Sequence, residues 1–160
     1  MKHITLFCDG SSLGNPGYGG WCGILRYKNN QKILSGNKAN VTNNQMELSA
    51  LIFSLKALKE PCEVLVVSDS TYVLNGISKW LPQWIQKDFK KVKNPELWRD
   101  YLEVSKPHKI NVQWVRGHNG HPENELCDKI AKEEAQKIKK EQEKGENYGK
   151  ERSSTRGRVV

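Results

Sequence analysis

The sequence has no long hydrophobic run. No stretch of its 160 residues approaches the roughly 18 consecutive apolar residues that a transmembrane helix needs. The opening MKHITLF passes directly into a strand-like pattern, without the apolar segment and small-residue cleavage site of a secretory signal. The sequence therefore predicts a cytoplasmic protein that has no membrane partner.

Cysteine is scarce and is not arranged as metal ligands. The four cysteines form no CxxC pair, and no histidine–cysteine spacing resembles a zinc site. We therefore interpret them as small buried thiols. They are Cys8, Cys22, Cys62 and Cys127.

Acidic residues are too few to balance the basic ones. The chain has 26 lysines and arginines against 18 aspartates and glutamates, which gives a net charge of +8. Residues 79–93 contain five lysines and one aspartate, and residues 137–160 contain eight basic and four acidic residues. Two basic regions on an otherwise neutral body favour a polyanionic partner, nucleic acid first. The alternative is that they form only a solvated face and a soluble tail.

The order of predicted elements indicates an α/β domain. The hydrophobic content of 36% is enough for one globular core, and there is no internal repeat. Three strands open the chain at residues 4–8, 20–27 and 32–37, and a helix capped by Thr42 or Asn43 follows. The full predicted order is β-β-β-α-β-α-α-α-β-α, a mixed sheet with helices on its faces. In residues 71–87 we expect two helices broken near Gly76, and from residue 142 a disordered tail of low apolar content.

Four acids lie at element ends or in otherwise apolar surroundings. Asp9 follows the first strand, Glu47 begins the first long helix, Asp69 follows the buried run VLVVS, and Asp128 begins the last helix. Neighbouring parallel strands would place Asp9 and Asp69 at the same sheet edge. Clustered carboxylates repel one another unless they share a cation, and oxygen ligands select Mg²⁺ or Mn²⁺. The alternative is that the strand-end acids cap loops and the helical ones interact with helix dipoles.

A glycine-rich loop and a histidine-containing loop add to these acids. GSSLGNPGYGG lacks the GKS or GKT ending of a phosphate-binding loop and the GxGxxG order of a dinucleotide site, so its glycines indicate a tight turn or bulge with the backbone close to a ligand. His118 lies between glycine and asparagine, where a histidine can transfer protons near neutral pH. His121 precedes Pro122, and we expect it to cap or pack against the last helix.

Four separated motifs resemble one family. DGSSLGNPG, TNNQMEL, SDSTYV and VRGHNGHPENELCDKIA follow the order and spacing of type 1 ribonuclease H, and the resemblance covers residues 2–140. It implies a five-stranded mixed sheet in the order 3-2-1-4-5, formed by a catalytic domain of residues 1–141 and followed by the basic tail 142–160. It also implies a monomer that cuts the RNA strand of RNA–DNA hybrids, using two Mg²⁺ or possibly Mn²⁺ ions and leaving 5′-phosphate and 3′-hydroxyl ends.

The resemblance also assigns roles to single residues. Asp9, Glu47, Asp69 and Asp128 match the metal-binding catalytic acids, and His118 matches the histidine that assists proton transfer or product release. Eight residues match positions that bind the substrate: Asn15, Thr42, Asn43, Asn44, Lys87, Lys90, Lys91 and Asn94. Trp80 and Trp84, in the same segment as the lysines, are expected to be packing residues.

Two other functions remain open at this point. The chain could be a noncatalytic module that binds hybrids or duplexes, although its complete set of acids argues against this. It could also be a related polynucleotidyl enzyme that cuts or joins DNA, although the TNNQMEL and GHPEN motifs favour the ribonuclease.

Overall fold

The protein is an α/β domain with five strands and helices on both faces. The computed structural model describes residues 1–116 and 121–151, with side chains described as far as residue 145. The strands are β1 (Lys2–Ser12), β2 (Gly17–Tyr27), β3 (Asn30–Val41), β4 (Cys62–Ser68) and β5 (Lys109–Trp114). The helices are α1 (Asn43–Lys56), α2 (Thr71–Asn75), α3 (Leu81–Gln86), α4 (Pro95–Ser105) and α5 (Pro122–Glu151).

The sheet has the mixed topology that the family resemblance implied. Its strand order is β3-β2-β1-β4-β5, with β1, β2 and β3 antiparallel and with β4 parallel to both β1 and β5. Pairing of β1 with β4 stops at Phe7, but pairing with β2 continues to Ser12. The sequence prediction ended β1 at Cys8, which was too early because β2 continues to pair with it. Asp9 therefore lies within β1, just beyond the end of its pairing with β4.

Two apolar layers cover the two faces of the sheet. On one face, α1 and α4 pack over strand residues such as Leu6 and Val64. On the other face, α5 packs through Cys127 and Ala131 onto Phe7 and its neighbours. Because both faces are covered at the centre of the sheet, β4 is apolar on both sides, as its run VLVV indicated.

All four cysteines are buried and free, which confirms the prediction of small packed thiols. Cys127 Sγ lies 3.3 Å from the carbonyl oxygen of Phe7 and so helps to join α5 to the sheet.

None of the helices in the described part of the chain combines the length and the hydropathy that a membrane span requires.

Two helical regions differ from their predictions. The predicted break near Gly76 is instead a π-helical turn, Gly76–Trp80, that connects α2 directly to α3. A side chain at Gly76 would overlap the ring of Trp98, so glycine permits this close packing. Residues 142–151, predicted to be disordered, continue α5. Six of these ten residues are glutamates, lysines or glutamine, which favour a helix, and two are glycines, which do not. The rest of the predicted tail lies outside the described residues.

Candidate active site

Three of the predicted acids converge at one edge of the sheet. Carboxylate oxygens of Asp9, Glu47 and Asp69 all lie within 4.8 Å of one another. Asp9 comes from β1, Glu47 from the first turns of α1, and Asp69 from the residue after β4. The prediction that β1 and β4 are parallel neighbours is confirmed, and this pairing brings their acids together.

A capping box and a glycine position Glu47. Thr42 Oγ1 accepts a hydrogen bond of 3.2 Å from the backbone nitrogen of Gln45, whose Oε1 accepts one of 2.9 Å from the nitrogen of Thr42. This reciprocal pair fixes where α1 begins. A Cβ at Gly10 would overlap the backbone nitrogen of Glu47, so only glycine lets β1 approach α1 this closely. The glycine-rich loop predicted a close approach of the backbone to a ligand, whereas at Gly10 the close approach is to α1.

Burial raises the pKa of two of the acids. Asp9 is 7% exposed and Glu47 is 5% exposed. Burial, followed by the charge of Asp69, raises the pKa of Asp9 to about 7. Burial and then the charge of Asp9 raise the pKa of Glu47 well above its usual range. A positive charge in the site would oppose both shifts.

One buried oxygen of this cluster has no hydrogen-bond partner in the part of the chain that the structure describes. Glu47 Oε2 makes no hydrogen bond within the described part of the chain. Asp9 Oδ1 accepts a backbone hydrogen bond of 2.9 Å from the nitrogen of Gly10. An orphaned carboxylate oxygen beside two other carboxylates fits a divalent cation, because Mg²⁺ and Mn²⁺ prefer oxygen ligands.

The fourth acid faces the same space but pairs with a lysine. Asp128 lines two adjoining cavities, of about 340 and 390 Å³, together with Asp9 and Asp69. Its Oδ2 lies 3.0 Å from Lys132 Nζ. Asp128 is absent from the set of three acids whose oxygens lie within 4.8 Å of one another. Sequence reasoning did not identify Lys132, although its spacing of four residues from Asp128 on a helix was a usable signal.

Three predicted substrate-binding asparagines lie beside the acids. Asn43 and Asn44 line the 390 Å³ cavity with Glu47. Asn43 Oδ1 accepts a bond of 2.9 Å from the nitrogen of Ser12, and the Asn43 nitrogen donates one of 3.0 Å to Asn15 Oδ1. These bonds connect the start of α1 to the end of β1 and to the following loop, so the asparagines share a rigid frame with the acids.

Thr42 and Asn94 belong to a second hydrogen-bonded group. Gln45 Nε2 donates to Asn94 Oδ1 at 3.1 Å, while its Oε1 holds the nitrogen of Thr42. Asn94 Nδ2 donates to the Tyr72 hydroxyl at 3.2 Å, and Trp98 Nε1 donates to the same oxygen at 2.9 Å. Sequence reasoning identified Thr42 and Asn94 but missed Gln45, whose side chain joins the two and lies 49 residues from Asn94. It also missed Tyr72, whose hydroxyl accepts the bond from Asn94 across 22 residues.

The predicted basic segment is an exposed loop with a buried anchor. Lys87, Lys90 and Lys91 are all exposed, whereas Phe89 between them is buried in the core beneath α1 and α4. Trp84 packs edge-on against Trp98, with ring centroids 5.1 Å apart, which confirms its packing role. Trp80 contacts the ring of Trp84 but remains 37% exposed, so it packs only in part.

The two predicted histidines have different outcomes. His118 lies outside the described residues. The carbonyl of His121 accepts hydrogen bonds of 3.0 and 3.2 Å from the nitrogens of Asn124 and Glu125, and its ring lies edge-on to Phe7. His121 therefore both caps and packs at the start of α5, as predicted.

Comparisons with known proteins agree with this architecture. A family model described as RNase H matches residues 1–136. The ribonuclease H of Campylobacter concisus is 62% identical over 141 residues, which cover 88% of this chain and 98% of the relative.

Two solved structures share the fold. LC9-RNase H1, a type 1 RNase H with the type 2 active-site motif, matches with a TM-score of 0.77 and 24% identity, over 84% of this chain and 72% of that one. LC11-RNase H1, solved in complex with an RNA/DNA hybrid, matches with a TM-score of 0.62 and 21% identity, over 84% and 98% of the two chains.

Proposed function

The chain belongs to the ribonuclease H family, and from this premise we propose that its cluster of carboxylates is the hydrolytic site. The enzyme is a ribonuclease H, an endonuclease that hydrolyses the RNA strand of RNA–DNA hybrids and leaves 5′-phosphate and 3′-hydroxyl ends. The observation that carries the assignment of the site is the convergence of Asp9, Glu47 and Asp69 within 4.8 Å.

The enzymes of this family depend on metal ions, and we propose Mg²⁺ as the ion, two per site, with Mn²⁺ as a substitute. Asp9, Glu47, Asp69 and Asp128 would hold the ions. When bound, two such ions activate a water molecule and stabilise the leaving oxygen of a phosphodiester. The all-oxygen donor set and the unpartnered Oε2 of Glu47 support this choice of hard cations.

The protein groups around the ions have distinct tasks in this proposal. The buried Asp9 and Glu47 form a negative site that is prearranged because their backbones are fixed by Gly10 and the cap of α1. Asp128, which contacts Lys132 at 3.0 Å, would be the fourth acid to hold the ions. His118 transfers a proton or assists product release during turnover, as the family resemblance implies.

Selection of the hybrid follows from the polar groups beside the acids. We assign Asn15, Asn43 and Asn44 to the minor groove, where the 2′-hydroxyl distinguishes RNA from DNA. This is supported by the cavity that Asn43 and Asn44 line with Glu47 and by the bond from Asn43 to Asn15. Thr42 and Asn94 hold a DNA phosphate, supported by their shared network through Gln45. Lys87, Lys90 and Lys91, the exposed lysines of the basic segment (here called the basic loop), neutralise further phosphates without reading sequence.

We propose that residues 1–141 are the catalytic domain, which is supported by the family match to residues 1–136. The proposed compartment is the cytoplasm, where reduced thiols are maintained, and the four free buried cysteines are consistent with it. The proposed acting form is a monomer.

Incubation of the purified chain with a hybrid whose RNA strand is labelled tests the activity. We expect the RNA strand to be cleaved with Mg²⁺ and to stay intact in chelator. The DNA strand of the hybrid and a DNA duplex should not be cleaved under either condition. Product ends are identified by their response to phosphatase and to ligase. Cleavage of duplex DNA, or intact RNA in the presence of both Mg²⁺ and Mn²⁺, would contradict the proposal.

A further inference from the structure

Helix α5 carries a row of four lysines, of which only Lys132 has a part in the function proposed above. Lys129, Lys132, Lys137 and Lys140 line a groove of about 630 Å³ on its surface, with Gln136 and a single acid, Glu133. The groove therefore carries a net charge of +3. Lys132 also lines both cavities that contain the catalytic acids, so the row continues the surface of the active site.

The charges of this row are available to a ligand. All four lysines are exposed, and of the four only Lys132 forms an ion pair among the described residues. The nearby Glu134 faces the sheet, where its carboxylate accepts hydrogen bonds from Ser35 Oγ at 2.8 Å and from Asn37 Nδ2 at 2.7 Å. It therefore does not neutralise the groove.

The row and the basic loop lie on opposite faces of the sheet. The loop is anchored through Phe89 and Trp84 to the core beneath α1 and α4. Helix α5 packs through Cys127 and Ala131 on the other face. The carboxylates, at the sheet edge, lie between the two basic surfaces, so a ligand held at the acids has lysines on both sides.

We propose that the lysine row of α5 is a second binding surface for the sugar–phosphate backbone of the hybrid. This inference rests on the proposed function. From Asp128 to Lys140 the helix rises about 18 Å at 1.5 Å per residue. One strand of a duplex carries about five phosphates over that length, at one per 3.4 Å. The charge, the length and the continuity with the active site all match a nucleic-acid backbone that leaves the site along α5.

Neutralising three lysines of the row tests this surface. The variant K129Q/K137Q/K140Q leaves Lys132 in place and keeps the helix, because glutamine and lysine have similar helix propensities. The matched control is K32Q/K56Q/K59Q, which removes the same charge from exposed lysines outside both basic surfaces. Binding of the full-length chains to a fluorescent 24-base-pair hybrid is measured by anisotropy in chelator, at several salt concentrations.

The row predicts a specific change in salt dependence. Each lost phosphate contact should lower the slope of log affinity against log salt by about 0.9, and the three losses should weaken binding about 3- to 100-fold. The single variant K140Q should lower the slope by about 0.9, which is one third of the change expected for the triple variant. The control should retain the slope and the cleavage rate of the wild type.

Two results would overturn the inference. If the α5 variants keep the slope of the control while the wild type cleaves the hybrid, the row does not contact the backbone and its charge serves another ligand, such as an acidic protein. If the wild type neither binds nor cleaves the hybrid, the proposed function fails and the α5 surface fails with it. A far-ultraviolet circular dichroism spectrum shows whether α5 is intact in each variant.

Discussion

The carboxylate cluster and the basic loop are built in opposite ways. Two of the acids, Asp9 and Glu47, are buried on regular elements, and Glu47 is fixed by a capping box and by contact with Gly10, whereas Asp69 follows β4 and is exposed. The lysines are exposed on a segment in which Asp88, Phe89 and Lys91 all have a positive φ, and of these three residues Phe89 alone is buried. Hydrolysis needs ligand atoms in fixed positions, whereas phosphate neutralisation tolerates displacement because it depends mainly on charge.

The contrast between the carboxylate cluster and the basic loop predicts that Asp69→Asn has the largest effect on cleavage. The change removes a negative charge and one cation ligand but keeps the shape of the side chain. We expect cleavage of the hybrid to fall at least about 100-fold while its binding in chelator is retained. Single-turnover cleavage and anisotropy measure the two quantities. Near-normal cleavage with Mg²⁺ would remove Asp69 from the metal site.

The buried acids also predict how stability depends on pH. Asp9 has a pKa of about 7 in the folded chain, whereas an unfolded aspartate has one near 3.8. A carboxyl whose pKa is raised by folding binds its proton more readily in the folded state. The free energy of unfolding in chelator should therefore fall as pH rises from about 4 to about 7, by at most about 1.4 kcal/mol per unit of pKa shift.

Asp9→Asn is the control for this pH dependence. Urea unfolding at several pH values should show a flatter profile for the variant than for the wild type in chelator. Parallel profiles for the two proteins would mean that burial of Asp9 does not raise its pKa.

Gly10→Ala tests whether close packing positions Glu47. The added methyl group overlaps the backbone of α1, and overpacking of this kind costs about 1–3 kcal/mol of folding free energy. Cleavage should fall as well, because Asp9 and Glu47 would move apart. Gly145→Ala is the matched change, since a Cβ there meets nothing within 4 Å. Equal urea midpoints for the two variants would contradict the packing argument.

The smallest effects are expected in the basic loop. Lys90→Gln and Lys91→Gln should each weaken hybrid binding by about 0.2–1 kcal/mol and lower its salt slope by about 0.9. Neither change should alter the urea midpoint, because both side chains are exposed. A loss of stability as large as that of Gly10→Ala would show that the loop has a structural role that its exposure does not reveal.

The elements and the acids were predictable because their signals are local. Alternating and helical periods located the strands and helices, and the positions of Asp9 and Asp69 after apolar runs indicated a shared edge. The parallel pairing of β1 with β4 then brought these two acids together. The whole sheet order came from the family resemblance, because local periodicity carries no information about which strands are neighbours.

The remaining features depend on contacts between distant parts of the chain. The length of β1 is set by its pairing with β2. The helix continues through Gly76 because glycine leaves room for the ring of Trp98. The link from Gln45 to Asn94 joins residues 49 positions apart. The length of α5 was missed for another reason, since a polar helix without an apolar period resembles a disordered tail.

Calorimetric titration of Mn²⁺ into the chain at pH 7.5, without nucleic acid, tests the central claim most directly. The account predicts saturable binding by the wild type and strongly reduced binding by Glu47→Gln, which keeps the fold but weakens the ligand set. Lys59→Gln, on the exposed surface, should bind like the wild type. Equal binding by the wild type and Glu47→Gln would contradict a cation site formed by the converging carboxylates.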